Sequence, residues 1–96
     1  MKLYTLYRSS NPKKKYDVFV DNHKTGRVKK ISFGASGHED FTTHRDVVRR
    51  QRYRSRHRND KNDDYLYAGF WASRVLWGDS TNIDVNMREA VKDIKR

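Results

Sequence analysis

Sixteen consecutive residues, Thr43 to Arg58, carry seven arginines and two histidines against a single acid, Asp46. A guanidinium presents a planar fork of N–H donors that fits a carboxylate or a phosphate bidentately, so this density of arginine is chemistry for gripping anions. Wound as one helix over about 44–58, the stretch aligns Arg45, Arg49, Arg52 and Arg56 in one stripe and Arg50, Arg54 and Arg58 in another. Four forks then lie along about 16 Å of helix, comparable with the spacing of phosphates along a duplex. A merely solvated face would do as well with lysine and glutamate, yet the stretch has no lysine, which favours a binding surface. Lys13, Lys14, Lys15, Lys29 and Lys30 extend the positive charge as a secondary basic surface; their plain reading is solvated strand ends.

The other chemistry-bearing groups are His23, His38, His44 and His57 with Glu39, Asp40 and Asp46. A metal or nuclease centre needs such groups to converge on one point. On the proposed wheel His44 and His57 lie about 140° apart and cannot chelate together. His38, Asp40 and His44 are the set able to meet across a loop, and the expectation is structural: Asp40 and His44 fix the preceding hairpin to the helix. No catalytic residue, metal, cofactor or small-molecule substrate is expected. Tyr65, Tyr67, Phe70, Trp71 and Trp77 could stack on bases, but few other residues are available to build a core, so they are assigned to it.

These groups need elements to hold them. Tyr16, Val18 and Val20 alternate with Asp17 and Phe19, and the period resumes at Lys29, Ile31 and Phe33 beyond Asp21–Gly26, which reads as a β-hairpin with Gly26 at a positive-φ turn exit and His23 exposed at the tip. Residues 1–12, with LYTLY before Asn11-Pro12, form an edge strand or a flexible arm. Thr43 is the expected N-cap of the basic helix, Asp46 favours its first turn, and His44, Val47, Val48, Gln51 and Ser55 are the face left to pack on the sheet. A polar break over Asn59–Asp64 precedes Tyr65–Trp77, apolar all round and so read as a core helix closed by Gly78; Gly69 either marks a close approach or starts that helix late. Asn86 with Glu89 reads as the cap of a last helix presenting Met87, Ala90, Val91 and Ile94, with Lys92, Lys95 and Arg96 complementing its dipole. The expected fold is α+β: a hairpin, with a third strand if the amino terminus joins it, on two or three short helices in one domain spanning 1–96.

At 96 residues the core must be small. Charged residues make up 35% of the chain, above the usual quarter, and the net charge of +10 favours polyanions or acidic protein faces as partners. With no cysteine, a secreted fold of this size would lack its customary disulfides. The start, MKLYTLYRSSNPKKK, holds too few apolar residues for a signal peptide, and no run suits a membrane span. A chain that is not secreted is expected.

The strings YDVFVDNHKTGRVKKISFGASGHEDFTTHRD, RQRYRSRH, AGFWASRVLW and AVKDI together resemble a family of small basic uncharacterised proteins of nucleocytoplasmic large DNA viruses, chlorella-virus and mimivirus-like genomes among them. The resemblance runs from about Lys14 to Ile94 and is carried by Phe33-Gly34, Asp40 and His44, Arg56-His57 and Leu76-Trp77; the Glu and Trp that usually follow the Arg-His pair are replaced here by Asn59-Asp60-Lys61. It implies a virion, or the cytoplasm or nucleus of an infected cell, as the setting, with capsid or other virion proteins, or DNA or RNA, as partners. The function expected is a non-enzymatic minor capsid or virion protein making Arg-rich and aromatic contacts; the alternative is a basic nucleic-acid-binding protein.

Overall fold

The period-2 segments form the middle and one edge of a three-stranded antiparallel sheet in a computed structural model that describes residues 2–58 and 64–94. The strands are β1 (Leu6–Arg8), β2 (Lys14–Asn22) and β3 (Arg27–Ala35), in the order β1-β2-β3. The amino terminus therefore does supply a third strand, short and at the edge. Register pairs Leu6 with Val18, Val18 with Ile31 and Tyr16 with Phe33, so one face of the sheet is a continuous apolar row. The hairpin turn closes at Gly26, whose φ is +72° and whose amide donates to the Asn22 carbonyl at 2.7 Å. His23 is exposed at the tip, its ring 5.8 Å from that of Tyr65.

Among the described residues four helices and a π-helical turn follow: α1 (Phe41–His44), α2 (Val47–Arg56), α3 (Ala68–Trp71), the π turn Ala72–Leu76 and α4 (Ile83–Ile94). The architecture is α+β, as expected. Val18, Val20, Ile31 and Phe33 of the sheet meet Phe70, Trp71, Val75 and Leu76, with Met87 and Ala90 of α4 closing the core from outside. Trp71 is fully buried, and its indole N–H donates to the Tyr65 carbonyl at 2.7 Å. Phe70 and Trp77 are buried with it, while Tyr67 is 41% exposed. The radius of gyration, 12.8 Å, is that of a compact domain of this length.

Three expected boundaries move. The basic helix does not start at Thr43. Asp40 caps α1, accepting from the Thr42 amide at 2.9 Å, while Thr43 Oγ1 accepts from the Asp40 amide at 3.0 Å. Arg45 then takes a left-handed conformation (φ 59°), and Asp46 caps α2 by accepting from the amides of Val48 and Arg49. Two competent acidic caps six positions apart outcompete one longer helix, because each satisfies amides that a helix start otherwise leaves open.

The aromatic helix begins only at Ala68, the later of the two starts that Gly69 allowed, and ends in the π turn, where the Trp77 amide reaches the Ala72 carbonyl. Gly78 does not act as a left-handed cap. A Cβ there would lie 2.3 Å from the Arg74 carbonyl oxygen, so glycine is needed for close approach. Asn86 is not the last helix's cap either: Asn82 is, accepting from the amides of Asp84 and Val85. Asn86 is buried inside α4, donating to the carbonyls of Val75 and Ser80 and accepting from the Ser80 amide, which ties α4 to the end of the π turn. Of the expected polar break only Asp64 is described, and Lys95 and Arg96 also lie outside the described residues.

Candidate anion-binding surface

The face of α2 that packs inward is centred on Tyr53. Its ring stacks on Trp77 at 4.2 Å and 3° and on His57 at 4.2 Å and 29°. Of the expected packing face, His44, half-buried in α1, does pack on Trp77, but the rest faces out: Val47 and Val48 are 53% and 54% exposed, and Gln51 and Ser55 are exposed as well. The reason is reach and demand together. The π turn ends with the carbonyls of Trp77 and Gly78 directed at α2, and valine cannot answer a carbonyl. Arginine can, and the Arg50 guanidinium also lies 5.3 Å from the centre of the Phe41 ring.

Those donations sort the seven arginines. Arg50 Nε donates to the Gly78 carbonyl at 2.7 Å and the Trp77 carbonyl at 3.3 Å, and its fork also meets Asp79. Arg54 donates to the Trp77 carbonyl at 3.1 Å and lies 3.6 Å from Asp79. Burial, then the neighbouring Arg50 cation, lower the Arg54 pKa from the usual arginine value, with Asp79 opposing and Arg74 adding. Arg49 pairs with Glu39 at 3.0 Å. Arg45, Arg52, Arg56 and Arg58 are exposed, and no hydrogen bond or ion pair holds them among the described residues. Arg45, in its left-handed junction, is off the stripe; Arg58 lies past the end of α2.

The secondary basic surface divides in the same way. Lys15 pairs with the buried Asp40 at 2.6 Å, Lys29 donates to the Leu66 carbonyl at 2.8 Å, and Lys30 reaches Ser10 Oγ at 3.4 Å. Lys13 and Lys14 are exposed. Asp40 therefore does fix the hairpin to the helices, but through Lys15. His44 takes no part by its ring: its Nδ1 accepts from the Asp46 amide at 2.8 Å and the ring packs 5.2 Å from Trp77. His38, Asp40 and His44 do not assemble; among the described residues no three histidines and acids converge on a metal-sized point.

A cleft of about 590 Å³ opens between α2, the β2–β3 ends and the start of the π turn. Arg49, Arg52 and Arg56 line its helical side, Lys14 the strand side, and Ala68 and Ala72 the side opposite. Asp40 and Glu39, the acids on its rim, are both already paired. Tyr53, the residue that sets this geometry, escaped the sequence reading; the available signal was its position as the one aromatic inside the arginine run.

Beneath the other face of the sheet lies a second buried carboxylate. Asp17 accepts from Ser9 Oγ at 2.7 Å, the Ser10 amide at 3.2 Å and Ser32 Oγ at 2.6 Å. Burial pushes its pKa up, but the donors Ser32, Ser9 and Ser10, with the Lys30 cation, outweigh it and hold the carboxyl below the ordinary carboxylate value.

No helix of the described residues is long and apolar enough to cross a membrane. Comparison with curated proteins gives no match, and neither does comparison with solved structures. A family model, that of DUF5754, a family of unknown function, matches residues 4–57, the whole sheet together with α1 and α2. With more than half of its length inside that match, the chain belongs to the DUF5754 family.

Proposed function

We propose that this is a non-enzymatic structural protein of a large DNA virus, a minor capsid or other virion protein that binds acidic faces of neighbouring subunits through Arg52 and Arg56, with the exposed Arg45 and Arg58 as further contacts. One observation carries the reading: the arginines divide into those that answer the chain's own carbonyls and acids and those that answer none among the described residues. Cations that a fold does not need for itself are free to meet a partner, and arginine is enriched where proteins meet. The viral setting comes from the sequence resemblance. Particles purified from an infected culture are expected to contain the protein, and Arg52→Glu/Arg56→Glu is expected to release it; its absence from the particle overturns the reading.

A second reading, binding to DNA or RNA, is favoured by the net charge of +10 and by Lys14, Arg52 and Arg56 facing one cleft. Its signature is a log K that falls with log salt by about 0.9 for each duplex phosphate neutralised. A response flat in salt counts against it.

A further inference from the structure

The cleft beside α2 is not a uniformly basic groove. Its helical wall offers Arg52 and Arg56, one turn apart and therefore about 6 Å along the axis. Lys14, at the start of β2, lines the same cleft, as do the small and apolar groups Ala68, Ala72 and Leu76. Ala68 is exposed although it lies beside the buried Phe70 and Trp71, so apolar surface is open in a cleft that cations also line. A volume of about 590 Å³ sits within the roughly 300–1,000 Å³ of small-ligand clefts, enough for a side chain or two and far too narrow for a duplex. A phosphodiester strand would leave the aliphatic lining of Ala68 and Ala72 uncovered. A peptide bearing an apolar side chain between carboxylates complements both the alanines and the cations: the side chain covers the alanines, and the carboxylates take the guanidinium forks.

We infer that this cleft takes a short acidic segment of a neighbouring protein, one apolar side chain seated against Ala68 and Ala72 and flanking carboxylates held by Arg52, Arg56 and Lys14. This rests on the reading of the arginines as a protein-binding surface and adds where, and to what, they bind.

The test is selection of a displayed random octapeptide library on the full chain. Sequences with a Leu, Ile or Phe flanked by Asp or Glu are expected to be enriched. Their affinity is expected to fall more than tenfold for Arg52→Gln/Arg56→Gln and, separately, for Ala68→Trp, which fills the cleft and leaves every charge in place. Lys24→Gln/Arg88→Gln, which removes the same charge from exposed positions elsewhere, is expected to leave affinity unchanged, and matching circular dichroism shows that the variants fold. Enriched peptides that ignore Ala68→Trp overturn the cleft while leaving the arginine surface as proposed. Failure to enrich any sequence likewise overturns it. An oligothymidylate that binds more tightly than any peptide and loses affinity in Arg52→Gln/Arg56→Gln overturns both in favour of nucleic acid.

Discussion

At the residue scale, two side chains that look alike in sequence behave differently because of what stands opposite. Arg50 answers two carbonyls at the end of the π turn, whereas Arg52, two positions on, answers nothing among the described residues. Arg50→Ala should cost about 1.5–3 kcal/mol, since a hydrogen bond from a charged donor is lost and the buried Gly78 carbonyl is left without it. Arg52→Ala should change stability by no more than about 0.5 kcal/mol. Urea unfolding of both variants checks the contrast, and equal losses would refute the division of the arginines. Asp17 provides a pH signature. Its folded pKa lies below the unperturbed 3.8, so its contribution is complete above that value and is lost as pH falls through the folded pKa. Asp17→Asn should be less stable than the parent by about 2–3 kcal/mol at neutral pH, and unfolding at pH 7 and pH 2.5 should find the gap narrower in acid.

At the element scale, α2 is held by three devices: its cap, its ring stack and its two inward arginines. Asp46→Ala removes the acceptor for the Val48 and Arg49 amides and should cost about 1 kcal/mol, with faster amide exchange confined to the first turn. The junction between the π turn and α4 is less forgiving. Gly78→Ala would place a methyl 2.3 Å from the Arg74 carbonyl oxygen and 2.7 Å from Asn86. A loss of at least about 3 kcal/mol should follow, because backbone on one side and the buried Asn86 on the other leave no direction in which to yield. Thermal unfolding reads the result directly; a Gly78→Ala chain that melts like the parent would contradict the packing described.

For the whole molecule, the core joins parts distant in sequence. Among the described residues, five of the buried hydrophobic side chains come from the segment up to Phe41 and eight from Leu66 onward. The family match ends at His57, so it contains the sheet but not the layer that covers it. A chain ending at Arg58 leaves Val18, Val20, Ile31 and Phe33 against water and should lack a cooperative thermal transition, even though every residue of the family match is retained. A sharp melt of that truncated chain would show that the sheet stands on its own.

How much of this was legible beforehand follows from the range over which each cause acts. The sequence alone determined the hairpin, because alternation and the Gly26 turn are local, and it determined the third strand as one of two options for residues 1–12. Composition determined the cationic character and the share of the core carried by Phe70, Trp71 and Trp77, because few other apolar residues were available. The packing face of α2 was not legible, since the valines read as the inward face until the carbonyls of Trp77 and Gly78, more than twenty positions away, were found waiting for Arg50 and Arg54. Nor were the roles of Asn86 and Gly78, which depend on an approach between the π turn and α4. Tertiary structure alone decided which arginines are left for a partner, because a guanidinium becomes available only when no acceptor of the chain's own comes within reach, and that is a property of the assembled surface.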